Sequence, residues 1–304
     1  MKFENIGMVG YGEMGKIFTA GLKGKAAGIS AWDLKFEVPA LREVQLAHAA
    51  QGGVAACASM AELCARSDLV ISAVTASNTL AVAQAAALHI RPGAVFLDLN
   101  SASPGTKQQA AALIEAAGGR YVEAGVMSSV PPYGIRVPML LGGTLAADLA
   151  KVLDAWGMDA KAVSEKLGVA SAIKMCRSVM IKGLEALVIE SYATARAYGV
   201  EEHVLPTLAE TFPSIDWQNQ GSYFFSRVVQ HGQRRAEEMR EAANTVREAG
   251  FEPLMAAAIA DKQQWVADQA GAGVFDGVGK DARWQDYADS LLAAASKAPG
   301  LNQS

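Results

Sequence analysis

Six residues near the start of the chain, Gly10-Tyr11-Gly12-Glu13-Met14-Gly15, have the spacing Gly-x-Gly-x-x-Gly and are followed by helix-forming residues. In this pattern the first glycine permits a tight turn and the second lets the backbone approach a pyrophosphate. The third lets a helix pack closely against a strand. The apolar run Ile6 to Val9 precedes the glycines, so strand, turn and helix follow in the required order. The motif predicts a dinucleotide site formed by all six residues.

Asp33 follows the second apolar run, 18 residues after Gly15. A carboxylate at that position accepts hydrogen bonds from ribose hydroxyls and repels a 2′-phosphate. We therefore expect NAD as the cofactor, with NADP possible because Lys35 stands nearby. The alternative interpretation is that Asp33 only ends a strand and the glycines only shape a turn.

Lys174 lies near the start of a predicted long helix, among the small and apolar residues Ala170-Ser171-Ala172-Ile173. An amine in apolar surroundings loses its proton more readily than one in water, so it can act as general base on a hydroxyl or as acid towards a carbonyl. Ser178 lies one helical turn later on the same face and is the second candidate catalytic residue. The alternative is a lysine that extends its amine to the surface over its apolar neighbours.

Polar residues also follow the fourth and fifth predicted strands. Ligands bind at the carboxyl ends of the strands in an open parallel sheet, so these residues are predicted to line one crevice. The residues concerned are Val74, Thr75, Asn100, Ser101 and Ser103. The alternative is that these side chains only cap the helix that Pro104 begins.

Several segments resemble the β-hydroxyacid dehydrogenase superfamily, which includes 6-phosphogluconate and 3-hydroxyisobutyrate dehydrogenases. The resemblance is greatest to a bacterial branch with its own helical C-terminal domain. The segments are Gly12 to Gly15, Asp98 to Pro104, Gly168 to Lys174 and His231 to Met239. The resemblance covers most of the chain and implies hydride transfer between NAD(H) and a small hydroxyacid or the corresponding carbonyl compound. It also implies that Lys174 is the general acid or base. By the same resemblance, Val74, Thr75 and Asn100 are expected at the cofactor, and Ser101 and Ser103 at the substrate.

The sequence departs from the superfamily at the substrate side. Ser178 stands where the family usually has asparagine, and Met127-Ser128-Ser129 replaces the family's Ser-Gly-Gly loop. We therefore expect a rebuilt substrate pocket that includes Met127 and Ser128. Ile181 stands where decarboxylating members carry glutamate, which favours oxidation or reduction without decarboxylation.

In the second half of the chain, His231, Arg234 and Arg235 are candidates for binding a substrate carboxylate, and we place His231 at the substrate. The alternative is that the three residues form a solvated helix face and pair with Glu237, Glu238 and Glu241. The pair Lys280-Asp281 loosely resembles a late pair of the superfamily whose lysine approaches the nicotinamide.

Two rival functions remain open. An imine reductase shares this two-domain plan, but such enzymes generally lack the lysine and prefer NADPH, so Lys174 and Asp33 argue against it. A non-catalytic NAD-binding protein would keep the glycine motif and lose the acid-base residue, so Lys174 argues against that class as well.

The elements that must position these residues differ between the two halves of the chain. From residue 4 to about 143, short apolar runs alternate with helix-patterned segments, which is typical of a doubly wound α/β domain with a parallel sheet covered on both faces. The runs are Ile6 to Val9, Ile29 to Trp32, Leu69 to Val74, Ala94 to Leu97, Tyr121 to Val126 and Met139 to Leu141. Residues 1–165 are therefore predicted to form a Rossmann domain that binds NAD.

Residues 166–304 are predicted to form an all-α domain for substrate binding and dimerisation, because strand patterns vanish there. Helical patterns run over Gly168 to Tyr198, Arg234 to Ala249, Leu254 to Ala267 and Trp284 to Ala295, with a loop from Gly271 to Gly279. The first helix has more apolar surface than one domain can cover, so we expect a homodimer.

Composition limits the remaining classes of function. The chain of 304 residues is 51% hydrophobic and 19% charged, as expected for a globular protein of two domains. Its net charge of -4 gives no electrostatic footprint for nucleic acid or an acidic membrane, so a small-molecule substrate is favoured. Cys57, Cys64 and Cys176 lack metal-site spacing and lie in apolar stretches, so we expect buried, reduced thiols. We find neither a signal peptide nor a membrane span and therefore predict a cytoplasmic protein. Because the cysteines lack metal-site spacing, we expect no bound metal.

Overall fold

The computed structural model of the protein describes residues 1–279 and 281–297, so Lys280 lies outside the described residues. The chain divides into two compact units, Met1–Cys176 and Arg177–Ser304. The division falls inside the long helix rather than before it, where the sequence predicts a boundary at residue 165. The helix starts in the first unit and continues into the second.

The first unit contains an eight-stranded sheet, counted over residues 1–176, in the order β3-β2-β1-β4-β5-β6-β7-β8. The strands are β1 Asn5–Val9, β2 Gly28–Trp32, β3 Ala55–Ala56, β4 Leu69–Ser72, β5 Val95–Asp98, β6 Arg120–Val126, β7 Met139–Gly142 and β8 Ala160–Ser164. Strands β1 to β6 are parallel, and their order reverses direction between β1 and β4. This is the Rossmann arrangement, which confirms the predicted fold class.

The far edge of the sheet differs from the prediction of a wholly parallel sheet. Strand β7 runs antiparallel to β6, and β8 pairs in parallel with β7. The segment that joins β6 to β7 contains only the short 3-10 turn Gly134–Arg136, and a return without a helical crossover reverses the strand direction. Strands β3 and β8 were not predicted, because β3 has only 2 residues and β8 lies half-exposed or exposed.

Helices cover both faces of this sheet. They are α1 Glu13–Gly21, α2 Pro39–Gly52, α3 Met60–Arg66, α4 Thr79–Ala87, α5 Pro104–Ala116 and α6 Ala146–Ala155. Strand β4 shows the alternation that results, since Leu69 and Ile71 join one apolar core and Val70 joins the other. Because β1, β4 and β5 are parallel neighbours, their carboxyl ends lie side by side along one edge of the sheet. The sheet is buried on both faces.

In its described residues the second unit contains helices and the loops that join them, without a strand, as predicted. The helices are α7 Val169–Tyr198, which begins in the first unit, α8 Glu201–Thr211, α9 Trp217–Glu248, α10 Leu254–Gly271 and α11 Trp284–Lys297. Helix α8 was not predicted because Pro206 interrupts its pattern. Helix α9 begins well before the predicted Arg234: Trp217, Gly221, Phe224 and Phe225 are buried at helical spacing in its first turns, a pattern that the prediction missed.

The three cysteines do not share one environment. Cys57 and Cys64 are buried, whereas Cys176 is exposed, so the prediction that all three are buried is wrong. A helix turns about 100° per residue, and the turn that buries Met175 directs Cys176 outward. None of the helices in the described part of the chain is long and apolar enough to cross a membrane.

Candidate active site

The turn between β1 and α1 requires glycine at two of its three motif positions for reasons internal to the protein. Gly10 has a φ of 91°, and a Cβ there would lie 2.4 Å from the carbonyl oxygen of Ala73. A Cβ on Gly15 would lie 2.0 Å from the carbonyl oxygen of Gly10. Real Cβ atoms do not approach backbone so closely, so Gly10 lets the turn pack against the residue that follows β4, and Gly15 lets α1 pack against the turn.

Gly12 is different, because nothing in the protein's own packing requires it to be glycine. Its φ is -80°, and a Cβ there would meet no atom of the described residues within 4 Å. Gly12 precedes the first residue of α1, and no side chain caps the amides of that first turn. Open space beside unpaired helix amides fits a pyrophosphate, so these residues suit a dinucleotide.

The other three motif residues have separate places. Glu13 is exposed in the first turn of α1, and Met14 is half-buried against the apolar core. The ring of Tyr11 is only 1% exposed and packs edge-to-face on Phe36. Because its side chain belongs to the core, the ring of Tyr11 is not available to a cofactor.

Asp33 ties the end of β2 to the glycine turn. Its Oδ2 accepts a hydrogen bond of 2.6 Å from the amide of Tyr11, and its Oδ1 accepts one of 2.8 Å from the amide of Lys35. A carboxylate has about four acceptor positions, so Asp33 keeps capacity for ribose hydroxyls. The spacing of Asp33 identified its place but gave no sign of its bond to Tyr11.

Asn100 joins the ends of β4 and β5. Its Oδ1 accepts a 2.7 Å hydrogen bond from the amide of Val74, and its Nδ2 donates one of 3.0 Å to Ser72 Oγ. Thr75 Oγ1 accepts a 2.8 Å bond from Asn78 Nδ2 and so closes the turn that follows β4. Asn100 thus fixes the backbone of the predicted cofactor turn.

Beneath Asn100 lies a buried ion pair that sequence reasoning missed. Lys107 Nζ lies 2.9 Å from Asp98 Oδ1, with the two side chains 0% and 1% exposed. The same carboxylate accepts the amide of Asn100 at 2.8 Å and the hydroxyl of Tyr121 at 2.6 Å. Burial, and then the Asp98 carboxylate, raise the pKa of Tyr121 well above its ordinary value, so the phenol keeps its proton and donates.

The two serines after β5 have different roles. Ser103 Oγ accepts a 3.2 Å hydrogen bond from the amide of Thr106 and caps α5, as the alternative interpretation expects. Ser101 Oγ instead accepts a 2.5 Å hydrogen bond from Lys174 Nζ. The fold therefore brings together two predicted site residues that lie 73 positions apart.

Two further predicted residues lie after β6. The amide of Met127 donates a 2.9 Å hydrogen bond to the carbonyl oxygen of Pro138, which anchors the start of this loop. Met127 is half-buried and Ser128 is exposed.

On α7, the buried Ser178 accepts a 3.3 Å hydrogen bond from Lys182 Nζ.

The three candidate basic residues of α9 do not share one environment: Arg234 fits the solvated helix face, whereas Arg235 fits neither interpretation of the sequence. The Arg235 guanidinium is buried and donates from Nε, at 3.0 Å, and from a second nitrogen to the Glu185 carboxylate of α7. Arg234 is exposed and pairs with Glu238 at 2.6 Å. His231 is half-buried one turn before Arg235. Arg235 therefore belongs to the interior of the helical unit.

Comparison with known proteins places this geometry in a family. The sequence profile described as the NAD binding domain of 6-phosphogluconate dehydrogenase matches residues 5–160. The chain belongs to this family. A second profile, the domain of unknown function DUF1932, matches residues 195–266 of the helical unit. The first unit is thus a Rossmann domain of the NAD-binding class, which confirms the predicted fold and cofactor class.

Solved structures extend the likeness over nearly the whole chain. A conserved hypothetical protein from Sinorhizobium meliloti 1021 is 39% identical with a TM-score of 0.74, and the match covers 95% of this chain and 96% of that one. A conserved protein described by its similarity to 3-hydroxyacid dehydrogenases is 29% identical with a TM-score of 0.65, covering 88% of this chain and 99% of that one.

More distant structures share the fold alone. A 3-hydroxyisobutyrate dehydrogenase from Mycobacterium tuberculosis, solved with L-serine, is 18% identical with a TM-score of 0.70 and covers 96% of this chain and 99% of its own. An imine reductase from Myxococcus stipitatus, solved with NADP+, is also 18% identical, with a TM-score of 0.53 and coverage of 94% and 99%. The fold therefore includes both kinds of reductase.

Proposed function

We propose that the protein transfers a hydride between NAD(H) and a small hydroxyacid or the corresponding carbonyl compound, with Lys174 as general acid or base. The observation that carries this proposal is the hydrogen bond between Lys174 and Ser101, which follows the carboxyl end of β5. That end lies at the same edge of the sheet as the glycine turn after β1. The 29% identical relative described by its similarity to 3-hydroxyacid dehydrogenases supports the same class of substrate.

Each residue of the pair would have a distinct part in the chemistry. The cofactor, when bound, exchanges the hydride with the substrate carbon. In oxidation the neutral amine of Lys174 accepts the hydroxyl proton as the carbonyl forms, and in reduction the ammonium returns it. Ser101 accepts a hydrogen bond from the protonated amine and so directs Lys174 towards this edge of the sheet.

The remaining site residues are proposed in supporting roles. The glycine turn, Val74, Thr75 and Asn100 would hold the cofactor, and Asp33 would favour NAD over NADP by repelling a 2′-phosphate. Met127, Ser128, Ser103 and His231 would contact the substrate. Ser178 would act beside Lys174 and can still donate its own proton, because its oxygen accepts from Lys182.

The imine reductase alternative retains support from the shared fold. An imine reductase would turn over cyclic imines with NADPH, and its kcat would not depend on Lys174. A protein that only binds NAD would show no turnover and no effect of the lysine either. The effect of replacing Lys174 and the preference between NAD and NADP therefore distinguish the three functions.

We also propose a cytoplasmic homodimer that pairs through α7. Apolar side chains at Ile173, Met180 and Leu187 form a stripe on this helix together with Cys176, and they are 41%, 74% and 57% exposed. Met180→Glu should give a monomer by light scattering. A parent chain that is already monomeric at micromolar concentration would contradict the proposal.

The decisive experiment follows the oxidation of NADH and NADPH with a panel of small aldehydes, keto acids and cyclic imines. Lys174→Met should lower kcat by about 10² to 10⁴, the usual range for a lost general acid or base. The methionine keeps an unbranched apolar stem of similar shape while deleting the charge. Lys174→Arg should fail as well, because guanidinium keeps its proton.

The matched control is Lys166→Met, which removes an exposed lysine from the loop before α7. It should keep the parental kcat, and both methionine variants should bind NAD as the parent does in calorimetry. Turnover of an aldehyde or keto acid by Lys174→Met within a few fold of the parent would refute the acid-base role. If cyclic imines were the only substrates and Lys174→Met did not change their turnover, the result would favour an imine reductase.

A further inference from the structure

Glu123, in the middle of β6, is a buried carboxylate that sequence reasoning did not single out. Its side chain is 0% exposed, and it forms no ion pair with the residues that the structure describes. Its Oε1 instead accepts hydrogen bonds of 2.7 Å from the amide of Gly168 and 3.1 Å from the amide of Ala170. Its Oε2 accepts one of 2.7 Å from Ser171 Oγ. All three donors lie at the start of α7.

The charge of Glu123 explains why these contacts are strong. A buried carboxylate is costly unless donors satisfy it, and amides at a helix N-terminus provide both hydrogen bonds and the positive end of the helix dipole. The interaction therefore fixes the first turn of α7 to the middle of β6. The residues that Glu123 holds, Gly168, Ala170 and Ser171, lie just before Lys174 in the chain.

A second contact brings the same strand against Lys174 itself. Gly125 lies two residues after Glu123 on β6, and a Cβ at Gly125 would stand 2.9 Å from the carbonyl oxygen of Ala170 and 3.3 Å from Lys174 Cβ. Residues two apart on a strand point to the same face. One face of β6 thus both anchors the helix and touches the stem of the lysine.

We infer that Glu123 is the positioning residue that holds Lys174 in hydrogen-bonding reach of Ser101. The inference rests on the proposed function of Lys174. In this role Glu123 acts by fixing where α7 starts and not by contact with the reacting atoms. A catalytic group displaced by about 1 Å can lose on the order of 10²-fold in rate, so the anchor is expected to matter for kcat.

The test compares Glu123→Ala with Glu123→Gln, using the carbonyl compound of the panel that the parent reduces fastest. Alanine removes all three hydrogen bonds, and we expect kcat to fall about 10- to 100-fold with little change in KM. Glutamine keeps an oxygen acceptor for the two amides and should restore most of kcat. Ser171→Ala removes one of the three bonds and should give a smaller loss.

A matched control separates positioning from stability. Ser59→Ala removes the side-chain cap of α3, where Ser59 Oγ accepts a 3.2 Å hydrogen bond from the amide of Glu62, and it leaves α7 untouched. We expect it to lower Tm without lowering kcat. A loss of kcat in Ser59→Ala as large as that in Glu123→Ala at an equal drop in Tm would overturn the inference.

A second readout needs no substrate. Lysines labelled with [13C]methyl groups give NMR signals, and the signal of Lys174 is the one absent from Lys174→Met. It should move in Glu123→Ala and keep nearly its parental position in Glu123→Gln. An unmoved signal together with parental kcat in Glu123→Ala would overturn the positioning role. Parental kcat in Lys174→Met would instead refute the function of the lysine.

Discussion

The two units of the molecule both bury ion pairs but use them differently. In the Rossmann unit, the Asp98 carboxylate that pairs with Lys107 also accepts the amide of Asn100 at 2.8 Å. In the helical unit, Glu185 of α7 pairs with Arg235 of α9 and accepts a 3.3 Å hydrogen bond from Gln263 of α10. The first pair supports a site residue, whereas the second joins three helices. Buried charge alone therefore does not identify a functional site.

The sharpest test of this comparison removes the cation from each buried pair. Lys107→Met and Arg235→Met each leave a carboxylate buried without its partner, so each should lower the free energy of unfolding by about 3–5 kcal/mol. Only Lys107→Met should also weaken NAD binding, because Asp98 then loses the geometry that holds Asn100. Chemical denaturation and calorimetric titration with NAD measure the two effects.

Two controls accompany this pair of variants. Lys151→Met removes a cation that is 77% exposed and paired with Asp148, so it should change stability little. The double variant Arg235→Met with Glu185→Leu replaces the whole pair by apolar groups and should recover much of the stability lost in the single variant. Equal weakening of NAD binding by Lys107→Met and Arg235→Met would show that the comparison is wrong.

The same contrast explains which features could be predicted from the sequence. The glycine turn, Asp33 and the start of α7 have local signals, since each depends on residue types within one strand, turn or helix. The contact of Lys174 with Ser101 was not predicted, because it joins a helix and a strand end that lie 73 positions apart. The direction of β7 was missed because it depends on how the loop after β6 returns.

The buried charges could not be predicted because most of their partners are far apart in sequence, and even Lys107, 9 residues after Asp98, gives no local sign of burial. Tyr121 lies 23 residues from Asp98, and Ser171 lies 48 residues from Glu123. A lysine or glutamate inside an amphipathic pattern gives no sign that it is buried until the partner is known. Arg235 shows the same limit, since its partner Glu185 is 50 residues away.

Within the Rossmann unit, two glycines of one motif should separate fold from binding. Gly15→Ala places a Cβ against the carbonyl oxygen of Gly10 and should lower stability by about 1–3 kcal/mol, as overpacking does. Gly12→Ala has open space and should leave stability unchanged. Because that space would take the pyrophosphate, Gly12→Ala should weaken NAD binding about tenfold or more, equivalent to about 1.4 kcal/mol.

Thermal unfolding without cofactor and calorimetric titration with NAD distinguish the two glycine variants. Gly12→Ala that unfolds earlier than the parent but binds NAD equally well would show that the open space is not the cofactor's. It would also place Gly12 with Gly10 and Gly15 among the residues that serve the fold alone.

The smallest expected effect concerns the choice between cofactors. The unmodified protein should bind NAD(H) at least about tenfold more tightly than NADP(H), since Asp33 repels a 2′-phosphate. Asp33→Ser should narrow this ratio, but it also removes the 2.6 Å bond to the amide of Tyr11 and so disturbs the glycine turn. Asp33→Asn is the sharper variant, because its oxygen can still accept from that amide while the charge is gone. If repulsion sets the preference, both variants narrow the ratio and only serine also weakens NAD itself. Calorimetry that finds NADPH the tighter ligand of the parent would refute the preference, and an unchanged ratio in Asp33→Asn would assign Asp33 to the fold of the turn.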